Sequence, residues 1–191
     1  MKRLALLVVL CSSTAAFAGP ATDAVKKAND TISDELKNKA PAEKVTTSVN
    51  DFIDIDQLGQ RAMGSNWAGL KPAEQKDFLK LLHQVIEANY VKGMNANLNY
   101  KVNYTGEGKD SSGSVVVKTE IETQKRGRPI KIEVDYVVDA KNHAFDVITD
   151  GSGLVQAYND QFTKMMANGG IQNVMTRMQS TLDKIKASNG S

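Results

Sequence analysis

The chain has 191 residues, with 24 Lys and Arg against 22 Asp and Glu and a single cysteine, Cys11. One cysteine excludes an intrachain disulfide framework and a multi-thiolate metal site, so the fold rests on its apolar core. Near-balanced charge argues against a general nucleic-acid binder, which carries a basic face.

Residues 1–18 are expected to be a cleavable export signal. Lys2 and Arg3 supply a positive start, Leu4 to Leu10 an apolar run too short to span a bilayer, and Ala16-Phe17-Ala18 the small residues a signal peptidase reads. A lipoprotein reading of Cys11 is disfavoured. Leu10 precedes it where a small residue is wanted, and the apolar run would be only about seven residues long. Cleavage after Ala18 leaves residues 19–191, which are 173 of the 191. Lys2 and Arg3 depart with the signal, so 22 basic residues then face 22 acidic ones. This length suits one domain with a sizeable interior, in an extracytoplasmic aqueous space, most simply a bacterial periplasm.

Helices are predicted first. Val25, Ala28, Ile32 and Leu36 recur at helical spacing between Ala21 and Lys39. Pro41 suits the first turn of a second helix carrying Val45, Val49 and Phe52. Asp54 is placed to cap a third, with Ile55, Leu58 and Ala62 inward and Gly64 at its end. Pro72-Ala73-Glu74-Gln75 opens a long helix with Phe78, Leu82, Val85 and Ile86 on one stripe and Gly93 at its end.

The apolar period then falls to two. Tyr100, Val102 and Tyr104 alternate with polar residues, and Gly106 to Gly113 reads as a turn region. Val115, Val117, Thr119 and Ile121 oppose Lys118, Glu120 and Glu122, with Val116 as the exception. After a turn at Arg126-Gly127-Arg128-Pro129, Ile130, Ile132, Val134, Tyr136 and Val138 share a face. Ala144 to Thr149 gives a fourth strand. Helical spacing returns at Leu154, Tyr158, Phe162, Met165 and Met166. Gly169-Gly170 breaks that helix, and a last one carries Ile171, Val174, Met175, Met178, Leu182 and Ile185, fraying after Ala187. The expected fold is α+β, a four-stranded antiparallel sheet covered on one face by several helices.

Catalytic signals are scarce. His83 falls in a helical run and His143 in a hairpin turn, neither near a cysteine or second histidine. Gly151-Ser152-Gly153 lacks the spacing of a nucleophile elbow and reads as a turn with a helix cap. Gly106-Glu107-Gly108-Lys109 lacks the strand–loop–helix frame of a phosphate loop. Strand carboxylates, including Asp135 and Asp146, alternate outward as a solvated face. Met94, Met165, Met166, Met175 and Met178 add adaptable apolar volume. That volume fits a packed core or a hollow one, and composition does not separate them.

Several runs resemble the MlaC family. Phe145-Asp146-Val147-Ile148-Thr149-Asp150-Gly151-Ser152-Gly153-Leu154-Val155-Gln156-Ala157-Tyr158 is similar to its strand-to-helix segment, and Gln161-Phe162 and Gly169-Gly170-Ile171 fall where it has like residues. Ala62-Met63-Gly64 with Trp67, Leu70-Lys71-Pro72-Ala73-Glu74-Gln75, and Gly127-Arg128-Pro129-Ile130 ahead of Val134-Asp135-Tyr136 resemble further signatures, so the likeness spans about Ala21 to Ile185. Two departures stand out: Ser152-Gly153 where members carry Val-Ser, and Asn159 where a basic residue is frequent.

The resemblance implies a periplasmic phospholipid-binding protein, an auxiliary component of ABC transporters also associated with toluene tolerance. Such a carrier encloses acyl chains between sheet and helices. It shuttles phospholipid between an outer-membrane lipoprotein/porin complex and an inner-membrane MCE-domain ABC transporter, and so maintains outer-membrane lipid asymmetry. No enzyme activity, cofactor, metal or nucleic acid is implied. Docking on the membrane complexes would be transient and the protein a monomer, with Lys125, Arg126 and Arg128 as one candidate charged patch. The lipid-binding wall is expected among strand positions Val117, Ile132, Val134, Tyr136 and Val147 and helix positions Phe78, Leu82, Tyr158, Phe162 and Met166. Two alternatives stay open. One is an NTF2-like enzyme using Tyr104 or Tyr136 with Asp146; the other is a non-catalytic periplasmic adaptor with a filled core.

Overall fold

The computed structural model describes residues 19–93 and 100–189, so the expected export signal and Met94 lie outside the described residues. In the front half, apolar spacing and local caps set the helices. α1 (Pro20–Lys37) buries Ala21, Val25 and Ile32, with Pro20 in its first turn, where a missing N–H is no loss. Its N-terminal residue makes no side-chain cap. The Glu107 carboxylate, 85 residues away from Thr22, accepts from Thr22 N at 3.0 Å and from Thr22 Oγ1 at 2.8 Å, setting negative charge at the positive helix end.

α2 (Ala42–Phe52) begins one residue later than expected, with Pro41 as its N-cap, and buries Val45, Val49 and Phe52. α3 (Ile55–Met63) starts where Asp54 accepts from Gln57 N at 2.7 Å and stops at Gly64, whose φ of 56° suits glycine. A 3-10 helix, Gly64–Gly69, follows without a clear sequence signal. α4 (Pro72–Gly93) opens with half of a capping box, the Glu74 carboxylate accepting from Lys71 N at 2.8 Å. Gly59 lets α3 approach α4, because a Cβ there would stand 2.7 Å from Leu82 Cδ2.

β1 (Lys101–Lys109), β2 (Val115–Lys125), β3 (Arg128–Val138), β4 (Ala144–Thr149) and β5 (Ser152–Gly153) form one antiparallel meander in chain order. Among the described residues the sheet therefore has five strands rather than four. Asp150 and Gly151 both take positive φ, 47° and 80°, and this tight turn folds Ser152 and Gly153 back onto Thr149 and Ile148. The expected helix cap in this segment is not made by Ser152. The β2–β3 turn likewise tightens to Arg126 and Gly127, at φ 53° and 75°, which leaves Pro129 inside β3 opposite Gln124.

A register shift between Tyr104 and Gly106 inserts Thr105 as an extra residue. Because side chains alternate, the bulge turns Glu107 onto the face of Val117, the face that carries α1. The bulge thus delivers the carboxylate that caps α1.

α5 (Leu154–Ala167) and α6 (Gly170–Asn189) are separated at Gly169 and Gly170, with φ of 146° and 64°. α6 stays helical to Asn189, past Ala187.

The interior is divided. Ile55, Leu58, Phe78, Leu82, Phe162, Val174 and Leu182 form an all-helical cluster from α3 to α6. Ala21, Val25, Phe52, Val117, Val138 and Ala144 join α1 and α2 to the sheet, and Ile32, Val45 and Val49 fill the α1–α2 seam. A fourth cluster, Val116, Val137 and Phe145, lies on the reverse face, where the Arg61 guanidinium of α3 sits 4.1 Å over the Phe145 ring. This accounts for Val116: it is paired with Val137 across the ladder, and one corner of the otherwise charged face is apolar.

Candidate functional site

The helix-facing side of the sheet divides into two halves of different character. Its register pairs Val117 with Tyr136, Thr119 with Val134, Ile121 with Ile132, and Tyr136 with Val147, so the five strand positions expected to form a wall share one face. In the first half, Val117 is fully buried and Tyr136 packs 5.8 Å from the Phe52 ring. Tyr136 OH donates to Asn29 Oδ1 at 3.3 Å, while Asn29 Nδ2 donates to Tyr104 OH at 3.2 Å. Burial pushes the Tyr136 phenol up to about 12 and raises that of Tyr104 as well, so both stay neutral and tie α1 to the sheet.

The second half stands apart from the packed clusters of the described residues. Val102, Ile121, Ile130, Ile132, Val134 and Val147 belong to none of the four buried clusters. Val134 is buried at 7% exposure and the other five are half-buried. α1 lies on β1 and β2, and α3 and α5 on β4, so these side chains face the helical layer without joining its core. Among the described residues, these aliphatic side chains are gathered on one face outside the packed clusters.

The helix candidates separate in the same way. Phe78 and Leu82 are fully buried and Phe162 is 2% exposed, and the Phe78 ring meets Trp67 at 6.2 Å and Phe162 at 5.3 Å edge-on. These three fill the helical core. Tyr158 stacks on Phe162 at 5.5 Å, and it and Met166 sit half-buried at that cluster's edge. Tyr158 also lines a pocket of about 310 Å³ between α4, α5 and α6, walled by Val85, Met165 and Met178, with Arg177 and Leu154 also lining it. Leu154 is 40% exposed, a large apolar side chain left in solvent. Sequence reasoning missed both Arg177 and Leu154 as pocket residues; Arg177 is one of three bases on α6, with Lys184 and Lys186, and nothing in the sequence sets it apart.

The tyrosine–aspartate pair considered for catalysis is not assembled. Asp146 pairs with Val137 while Tyr136 pairs with Val147, which puts the carboxylate and the phenol on opposite faces. Nor is Asp146 simply solvated: half-buried, it accepts at Oδ1 from Val147 N at 2.9 Å and Val155 N at 3.0 Å, and so caps α5. Gly153 makes room, since a Cβ there would stand 2.9 Å from Asp146 Oδ2. Asp146→Ala should cost about 1 kcal/mol in a urea melt, as helix-cap losses do, while Asp146→Asn keeps an acceptor and most of that stability.

His83 Nε2 lies 2.9 Å from Asp56 Oδ1, linking α4 to α3. His143 follows a turn in which Asp139 Oδ1 accepts from Lys141 N and His143 N, each at 2.8 Å. Among the described residues no three His, Cys, Asp or Glu side chains are grouped to hold a metal, and no helix is long and apolar enough to cross a membrane. Arg126 and Arg128 are exposed, and the Lys125 side chain lies outside the described ones.

The family model described as MlaC protein matches residues 21–180. The chain belongs to the MlaC family. Among solved structures, a phospholipid-binding protein from Ralstonia solanacearum, in complex with a phospholipid, is similar with a TM-score of 0.72 at 19% identity. The similarity covers 88% of this chain and 99% of that one, and the two share their fold. No curated protein matches the chain. Within the MlaC frame, the unusual Asn159 has a local role: its Nδ2 donates to Ala62 O at 2.8 Å, closing the end of α3. A position where the family resemblance suggests a base is used here for internal bonding.

Proposed function

We propose that the protein is a periplasmic phospholipid carrier. In this reading residues 1–18 are removed on export, and residues 19–191 form a single, monomeric, non-catalytic domain. It shuttles phospholipid between an outer-membrane lipoprotein/porin complex and an inner-membrane MCE-domain ABC transporter, which maintains lipid asymmetry. The observation that carries the reading is the second half of the sheet's helix-facing side, where Val102, Ile121, Ile130, Ile132, Val134 and Val147 stay outside every buried cluster among the described residues. Membership of the MlaC family, and the same fold in a protein solved with a phospholipid, support it.

The energetics suit a carrier. A diacyl lipid with about thirty methylenes would lose roughly 24 kcal/mol by leaving its chains in water. An aqueous crossing therefore needs an apolar shelter that holds lipid about as well as a bilayer does. Loose chain selectivity follows, because an apolar wall discriminates one methylene by only about 1–3 kcal/mol.

Native mass spectrometry of protein from a periplasmic fraction, prepared without detergent and followed by lipid extraction, tests the reading. Near-stoichiometric phospholipid is expected. An apo mass that persists after incubation with phospholipid vesicles would overturn the carrier in favour of an adaptor.

A further inference from the structure

We propose that removal of the export signal after Ala18 creates an ion pair between the new Gly19 ammonium and the Glu107 carboxylate, so that processing itself fastens α1 to β1. The inference rests on the export reading and adds to it a receiving residue and a consequence for stability. Gly19 is the N-cap of α1 and makes no side-chain cap. A cut before it sets a full positive charge on the helix end that already carries a partial one, which is unfavourable unless an anion is at hand.

Glu107 is that anion. Its Oε2 takes both bonds from Thr22. Among the described residues its Oε1 accepts no hydrogen bond and the carboxylate joins no ion pair. The two groups already approach closely: a Cβ on Gly19 would stand 2.5 Å from Oε1 and 2.6 Å from Oε2. Before the cut the Gly19 nitrogen is an uncharged peptide amide. After it, a turn about the Cα–C bond carries that nitrogen into the place a Cβ would take. The Gly19 carbonyl stays where it is and keeps its bond from Asp23 N at 3.0 Å. Glycine makes this turn without steric cost. A shift of a few tenths of an ångström then gives about 2.8 Å, the length of a charge-assisted hydrogen bond.

The test compares, by urea melts after lipid is stripped away, the exported protein beginning at Gly19 with a chain beginning at Ala16 and released from a cleavable tag. Each is made with Glu107 and with Glu107→Gln. Glutamine keeps an acceptor for Thr22 and removes the charge, and Asp23, the acid in the first turn of α1, is common to all four proteins. The Glu107→Gln loss should be about fivefold larger, as an unfolding equilibrium constant, in the chain beginning at Gly19, the upper range of an exposed ion pair. Salt at about 1 M should shrink that excess by at least about half. An equal loss in both chains, or an excess indifferent to salt, overturns the ion pair and leaves the export and carrier readings intact. The intact mass of the exported protein is read first, and a start at any residue other than Gly19 overturns the expected cleavage position and this proposal with it.

Discussion

Val134→Glu should leave the protein without bound phospholipid. Val134 stands in β3 between Thr119 of β2 and Thr149 of β4, on the half of the sheet that joins no buried cluster among the described residues. Its neighbours on that face are Ile121, Ile132 and Val147, with hydroxyls from Thr119 and Thr149 and no cation. The Thr119 hydroxyl already donates to the Val134 carbonyl, so it offers no proton to a carboxylate. An unpaired polar group in such a place costs about 2–7 kcal/mol, and a charge more. An acyl chain laid against it would bear that penalty in place of a van der Waals contact. Bound lipid should fall at least about tenfold, which corresponds to only about 1.4 kcal/mol.

Val134 is buried, so its replacement also tests the fold; Val147→Glu, at a half-buried position, keeps the experiment decisive if the first variant fails to accumulate. Glu133→Ala, one residue away on the opposite face and exposed, should load lipid normally. Normal lipid recovered with folded Val134→Glu or Val147→Glu protein would remove that position from the wall.

The legible part of the fold was the part governed by period. Alternation in β2 and β3 placed Val117, Ile132, Val134 and Tyr136 on one face, and the ladder pairs them so. Three features lay beyond reach for physical reasons. β5 is two residues long, shorter than any period, and exists because Asp150-Gly151 adopts a left-handed turn. The bulge at Thr105 flips Glu107 to the other face, which strict alternation cannot anticipate. Asp146 alternates outward as expected, yet the helix that follows comes back to use it as a cap.

The site was harder still. A core and a lipid wall demand the same side chains, so Phe78 and Val134 were alike in the sequence. Only packing separates them: Phe78 joins the helical cluster and Val134 joins none.

That separation yields the opposite expectation for Phe78. The ring is fully buried in the all-helical cluster, edge-on to Trp67 and Phe162, with α3 brought close by Gly59, where a Cβ would lie 3.3 Å from Phe78 Cε1. Phe78→Ala removes these contacts and leaves a void that close-packed helices fill only in part, so unfolding free energy should drop by about 3–5 kcal/mol. Lipid bound per folded molecule should change little, because the second sheet half and its register stay in place. Urea melts read the first quantity, and native mass spectrometry of the folded fraction reads the second. If Phe78→Ala instead lost its lipid while keeping its stability, the helical core would itself be the binding wall and the sheet a supporting layer. Val134→Glu and Phe78→Ala together therefore decide which apolar surface holds lipid and which holds the fold.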